Sequence, residues 1–285
     1  MPLYQAIVLA IVQGLTEFLP VSSTAHLALV PWLLGWKDPG LTFDVALHAG
    51  TLLAVLAYFW RYWVEMAALA LGGKWGGAVA EVEARGHSAR ADLRQNPRLL
   101  WYLMVATIPA AFAGWRFEHA AEEQLRSPVV IGTALIVVGL AMWAGDWLGR
   151  RERDLGHVGL LDSFLVGLAQ ALAVIPGVSR SGVTMTAGLF RRMKRETAAR
   201  FSFLLSTPII AGAALKKGLE IRHTGLPHDM HLPFLFGAVV SALVGYLVIA
   251  VLIRYLERHT FRVFVIYRLA LGVIVLLLGW GSFRG

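Results

Sequence analysis

Two short polar stretches interrupt an otherwise apolar chain, and both carry residues able to do chemistry. The first, EFLPVSSTAHL, runs from Glu17 to Leu27 and holds a carboxylate, the hydroxyls of Ser22, Ser23 and Thr24, and the His26 imidazole. The second, IPGVSRSGVT, runs from Ile175 to Thr184 and sets Ser179, Ser181 and Thr184 around Arg180. Ionisable side chains inside membrane segments are costly to bury, so Glu17, His26 and Arg180 are functional candidates by default. Arg180 offers a fixed cation with a fork matched to phosphate oxygens. The hydroxyls add neutral donors. A serine just ahead of a helix caps it, and the free N–H groups of that first turn favour an anion. Together these groups describe a site for a phosphate or a diphosphate.

Glu17 and His26 turn binding toward reaction. A pocket for anions alone has no use for a carboxylate. Glu17 therefore holds a divalent cation, takes a proton, or orients His26. Ser23 lies three residues before His26 and shares its helix face. A hydroxyl beside an imidazole is the minimum arrangement for an activated nucleophile. Ser22, four residues before His26, competes for that role, and spacing does not separate the two. Gln13 lies one turn before Glu17 and is a partner for it. His48, in FDVALHAGT, is read as structural, and Asp44 and Asp162 as caps or lipid contacts near span ends. Taken singly, the serines could be caps only, His26 a packing residue and Arg180 a snorkelling cation. Their occurrence together in two matched stretches argues against that.

The elements that position these groups follow from composition. The chain has 285 residues, 57% hydrophobic and 15% charged, with mean hydropathy +0.63. Soluble domains carry about 25% charged residues, so the fold class is an all-α integral membrane protein, a single membrane domain over residues 1–285. The absence of cysteine excludes disulfides, thiolate metal sites and a cysteine nucleophile. The formal net charge of +8 fits basic loops facing anionic lipid, not nucleic acid. The first residues have no basic lead or cleavage site and are expected in the mature fold. Six apolar segments reach the roughly 20 residues a spanning helix needs: about 42–71, 98–117, 128–148, 197–217, 233–254 and 262–282. Residues 3–18 and 160–175 fall short and stop at Pro20 and at Pro176-Gly177. Each is followed by a polar stretch and a second short apolar piece, 24–35 and 181–190. Short, Pro- or Gly-broken segments of this kind predict re-entrant helix–loop–helix hairpins lining a cavity.

The two stretches also repeat. Gln13 set over Gln170, an offset of 157, brings Val21-Ser22 over Val178-Ser179 and Thr24 over Ser181. ATIPAAFAG (106–114) further echoes STPIIAGAA (206–214). A broken hairpin followed by three spans in each half gives inverted-topology repeats, about 1–150 and about 158–285, with hairpin tips meeting near the midplane. Lys and Arg divide between the two sides as about 16 against 7, which places the loop at about 72–97 in the cytoplasm and both termini outside. That loop, with its GGKWGG run, is expected to be a linker, partly helical.

At these residues the chain resembles the bacterial undecaprenyl-diphosphate phosphatase family of the bacitracin-resistance type. That family is marked by an (E/Q)xxxE element leading into PVSSTxH, and by PGxSRSxxT. They stand here as Gln13 to Glu17, Pro20 to His26, and Pro176 to Thr184; FSFLLSTP (201–208) is also similar. The first position of the (E/Q)xxxE element is Gln13 here, the family's accepted alternative to Glu, which leaves one carboxylate fewer and a metal site leaning on Glu17. The resemblance covers essentially the whole chain. It implies hydrolysis of undecaprenyl diphosphate to undecaprenyl phosphate and inorganic phosphate, recycling a cell-wall lipid carrier and conferring bacitracin resistance. It also implies activation by a divalent cation such as Mg²⁺ or Ca²⁺, a bacterial inner-membrane location, and an active site open to the periplasmic side. On this reading Glu17, Ser23, His26 and Arg180 are catalytic. Ser22, Thr24, Ser179, Ser181 and Thr184 hold the diphosphate. A transporter or flippase of polyprenyl phosphate lipids using the same midplane site is the alternative. Besides the C55 lipid, the partners expected are membrane lipids; oligomeric state is left open, a homodimer included.

Overall fold

The structure, a computed structural model, describes residues 1–37, 39–71, 89–123, 125, 127–225 and 227–282. The run 72–88 of the expected cytoplasmic linker lies outside the described residues, as do Arg126 and Arg284. Twelve α-helices make up the described fold. They are α1 (Leu3–Thr16), α2 (Ser23–Leu34), α3 (Leu41–Tyr58), α4 (Trp60–Ala70), α5 (Ala89–Gln95) and α6 (Leu99–Glu123), then α7 (Pro128–Leu148), α8 (Leu160–Ala171), α9 (Arg180–Phe190), α10 (Arg195–Thr224), α11 (His231–Arg258) and α12 (Arg262–Ser282).

Among the described residues, α6, α7, α10, α11 and α12 are long and apolar enough to cross a membrane, and α3 with α4 make a sixth crossing if the bent pair is one span. That bend corrects the expectation of one long helix over 42–71. The chain turns by 69° between α3 and α4, with neither Pro nor Gly at the break. Phe59 takes non-helical φ −99° and ψ 16° there. Its ring is buried against Tyr58, Tyr62 and Phe203, so tertiary packing holds a bend that local sequence does not announce. Beyond it, Arg94 Nε on α5 meets Glu65 on α4 at 3.3 Å.

Short helices flank both polar stretches. α1 ends at Glu17, just before Pro20, and α2 resumes at Ser23. α8 runs into a 3₁₀ turn at Leu172–Val174, and α9 begins at Arg180. α1 lies along α11, α8 along α6, α3 against α10 and α11, and α7 against α12. The main core joins these helices through Phe18, Phe59, Phe201, Phe203 and Met185. Gly167 brings α8 onto α6 so closely that a Cβ there would lie 2.1 Å from Ala106 O. The outer surface is apolar: Trp115, Trp147, Leu247 and Leu277 are all exposed. That surface suits lipid, which solvates side chains as apolar as the core. The echo between 106–114 and 206–214 joins helices that differ in packing. Pro109 lies in α6, against α8, and Pro208 in α10, against α3 and α9.

Candidate functional site

The two polar stretches, remote in sequence, touch. Ser181 Oγ donates to Leu19 O at 3.1 Å. Arg268, on α12 and fully buried, ties both turns down. Its Nη1 donates to Pro20 O (3.2 Å) and its Nη2 to Gly177 O (3.0 Å) and Val178 O (3.1 Å). The same guanidinium reaches Leu135 O and Ala134 O on α7. Turn carbonyls that lack helical partners are thereby satisfied inside the protein. Gly177, at φ +91°, passes so close to α7 that a Cβ would meet Ile131 O at 2.6 Å; only glycine fits there.

Each turn ends in the same backbone device. Ser22 has φ 77°, ψ 94° and Ser179 has φ 70°, ψ 112°. Positive φ at a non-glycine residue costs about 1–3 kcal/mol and marks sites where surrounding structure fixes the chain. The two serines are equivalent under the repeat offset, and each precedes a helix start. Ser179 Oγ accepts from Gly182 N at 3.1 Å, capping α9. The hydroxyl pairs repeat as well: Ser22 with Thr24 at 3.1 Å, Ser179 with Ser181 at 3.3 Å.

Glu17 is the hub. Its Oε2 accepts from Ser23 Oγ at 2.6 Å and from Gln13 Nε2 at 3.1 Å. Its Oε1 accepts from Arg180 Nη2 at 2.8 Å. His48 Nε2, on α3, lies 3.5 Å from Oε2, with its other ring nitrogen 2.7 Å from Asp44 O. Arg180 Nη1 donates to Ser202 O at 3.2 Å, which fixes the guanidinium plane between α10 and the carboxylate. Four helices, α1, α2, α3 and α9, thus converge on one buried acid. A carboxylate with a guanidinium and a hydroxyl on it can accept a proton from that hydroxyl. The guanidinium, with the first-turn N–H groups of α2 and α9, supplies positive potential for phosphate oxygens.

Of the residues singled out in the sequence, Gln13, Glu17, Ser23 and Arg180 share direct contacts. Ser22 and Ser179 stand in the two turns beside them, Ser181 in the first turn of α9, and Thr24 is exposed next to Ser22. His26 is placed differently from the sequence expectation. Its Nδ1 lies 2.7 Å from Ser22 O and its Nε2 2.6 Å from Tyr267 OH. No hydrogen bond joins it to Ser23 or Glu17 among the described residues; Glu17 meets Ser23 instead. Thr184 donates to Arg180 O (2.7 Å) and pairs with Ser202 Oγ (2.6 Å), which commits its hydroxyl to supporting Arg180. His48 is set against Glu17, where sequence reading made it structural. Arg268, Tyr267 and Ser202 were not anticipated. For His48 and Arg268 the signal was present, since each is an ionisable residue within an apolar run.

A scan of family sequence models matches residues 6–274 to the family described as bacitracin resistance protein BacA. The chain is 50% identical over 281 residues to an undecaprenyl-diphosphatase of Moorella thermoacetica, covering 98% of this chain and 99% of the relative. It is 48% identical over 278 residues to an undecaprenyl-diphosphatase of Pelotomaculum thermopropionicum, covering 98% and 97%. A third undecaprenyl-diphosphatase, from Gemmatimonas aurantiaca, is 49% identical over 275 residues, covering 96% and 97%.

Proposed function

Because the chain belongs to the bacitracin resistance protein family, we propose that it hydrolyses undecaprenyl diphosphate to undecaprenyl phosphate and inorganic phosphate. The reaction recycles the lipid carrier of cell-wall synthesis and confers bacitracin resistance. The observation that carries the reading is the contact set of Glu17 with Ser23 and Arg180 at the junction of two helix starts.

The geometry supports the following sequence. The diphosphate seats its terminal phosphate against Arg180, the hydroxyls of Ser179 and Ser181, and the first-turn N–H groups of α2 and α9. Drawing Arg180 onto phosphate oxygens frees Glu17 Oε1 while Oε2 keeps Ser23. Ser23 Oγ attacks the terminal phosphorus, and its proton passes to Glu17. The bond from that phosphorus to the bridging oxygen breaks, and undecaprenyl phosphate leaves with the electron pair. Water then opens the phosphoserine, releasing inorganic phosphate. Direct attack by a water held on Ser23 would use the same acceptor. Most of the catalysis is positioning and charge stabilisation, as phosphoryl transfer requires. His26, held by Ser22 O and Tyr267, supports the first turn of α2.

Gln13 bears on the divalent cation. Its Oε1 is buried without a hydrogen-bond partner, while its Nε2 is on Glu17. An orphaned amide oxygen beside a carboxylate presents hard donors suited to Mg²⁺ or Ca²⁺, with substrate oxygens as further ligands. Glu17 and Gln13 would hold the ion, which supplies charge neutralisation to the diphosphate.

We further infer six spans and two re-entrant hairpins arranged as inverted repeats, with both termini and the site on the periplasmic side of the bacterial inner membrane. The pairings support this. α1 lies on α11 as α8 lies on α6, the third span of each proposed half, α7 and α12, pack together, and so do the first spans, α3 and α10. The same symmetry is transporter architecture and keeps the flippase reading in view. Phosphate release from C55 diphosphate in detergent, with and without EDTA, decides between them. Wild type is expected to release phosphate far faster than Glu17→Ala or Arg180→Ala; transbilayer movement of lipid without release would defeat the enzymatic reading.

A further inference from the structure

Away from the Glu17–Arg180 site, the ends of α7 and α9 build a platform that the phosphatase chemistry does not use. Residues 149–153 and 191–194 run side by side. The amides of Glu152 and Arg153 donate to Arg192 O at 2.9 and 3.0 Å, and Lys194 N donates to Arg153 O at 2.9 Å. Arg153 and Met193 form a parallel bridge. Arg151 and Arg192 hold φ of 50° and 67°, conformations that persist where neighbouring structure over-determines them.

The inner cations of this platform are neutralised. Arg195 meets Asp146 at 2.5 Å, and Arg191 and Arg153 meet Asp162 at 2.7 and 2.8 Å. Arg150 and Arg192, at the rim, are exposed. Arg150 makes no hydrogen bond or ion pair among the described residues. Arg192 has Glu152 as its partner at 2.5 Å, a rim pair half open to solvent and therefore weak. Both line a cleft of about 360 Å³ with Leu148, Gly149 and Phe190. Leu148 and Phe190 are exposed, and so are Trp143 and Trp147 on the same end of α7, stacked at 6.0 Å.

Two guanidinium groups at the mouth of a cleft, with Leu, Phe and Trp walls at the end of a span, match one chemistry. Guanidinium groups bind phosphate oxygens as a fork. Tryptophans settle at headgroup level. A phosphodiester anion carrying acyl chains satisfies both at once. We propose that this cleft binds the headgroup of an anionic phospholipid, its phosphate between Arg150 and Arg192 and its acyl chain along Leu148, Phe190 and Trp147. The site is independent of the hydrolytic reading, since neither arginine touches the Glu17 cluster.

The test uses the full chain purified in detergent, with lipid retention read by native mass spectrometry. Phosphatidylglycerol, phosphatidylcholine and soluble glycerol phosphate are the three probes. Phosphatidylglycerol should be retained at about tenfold lower concentration than phosphatidylcholine, in line with the preference of basic clusters for anionic lipid. The double variant Arg150→Gln, Arg192→Gln should lose that preference, and Arg150→Gln alone should lose part of it. Arg222→Gln, which removes a cation elsewhere, should keep it. Continued phosphate release by the double variant reports that it is folded. The proposal is overturned if wild type retains both lipids equally, if the double variant retains phosphatidylglycerol as wild type does, or if glycerol phosphate displaces the lipid at equal concentration.

Discussion

Ser23 and Ser22 are adjacent and chemically identical, yet the structure gives them different partners. Ser23 Oγ points its proton at Glu17, whereas Ser22 sits at positive φ and shares its hydroxyl with Thr24. Ser23→Ala should therefore abolish phosphate release, and Ser22→Ala should reduce it while leaving measurable turnover. Acid-quenched enzyme probed for phosphoserine checks the covalent route; a Ser23→Ala enzyme with normal turnover would remove Ser23 from the mechanism. Arg180 must satisfy Ser202 O and Glu17 at once, a geometry that lysine does not reproduce. Arg180→Lys is expected to lose at least about tenfold in kcat/KM, and Arg180→Ala about 10²–10³-fold, the scale of losing a preorganised oxyanion donor. The sequence made Gln13, Glu17, Ser23 and Arg180 legible because each is a polar group whose burial in an apolar run demands a reason. It did not show that Glu17 faces Ser23 instead of His26, since a one-turn helical spacing puts Ser23 and His26 on one face without saying what else reaches it. His48 and Tyr267, from α3 and α12, supply the competing partners, and such long-range contacts leave no trace in local spacing.

Helix breaks at Pro20 and Pro176-Gly177 were legible because each proline stands beside a polar stretch that ends a short apolar run, whereas Pro31, Pro109 and Pro208 sit inside continuous helices. The 69° bend at Phe59 was not, because it is imposed by aromatic packing from α10. Arg268 belongs to this scale, since it acts on elements and not on substrate. One guanidinium holds carbonyls of both turns and of α7. Arg268→Met keeps the bulk and strands those carbonyls, and each buried acceptor left unsatisfied costs about 1–3 kcal/mol. The variant should melt earlier in detergent and lose phosphate release together with stability. Unchanged melting with lost activity would instead make Arg268 a direct substrate contact. Gly167→Ala tests the other anchor. Its methyl would collide with Ala106 O and push α8, with Ser179 and Arg180 behind it, off α6. Overpacking of this kind costs about 1–3 kcal/mol, and the readout is a lower melting temperature with Ser23 and Glu17 still in place.

For the whole molecule, the open question is which way the bundle faces. The arginine-rich platform at the ends of α7 and α9 lies at one end of the bundle, with Trp143 and Trp147 exposed beside it. Inverted repeats require His259, between α11 and α12, to face the same side as that platform. They require His228, between α10 and α11, to face the opposite side, because α11 crosses between the two. The chain contains no cysteine, so His259→Cys and His228→Cys are single-cysteine proteins without further engineering. A membrane-impermeant maleimide added to intact cells should label His228→Cys and leave His259→Cys until the membrane is opened. The reverse pattern would invert the topology and turn the Glu17–Arg180 site toward the cytoplasm. Labelling of both from outside would break α11 as a span, and with it the proposed inverted repeat in which α1 on α11 corresponds to α8 on α6.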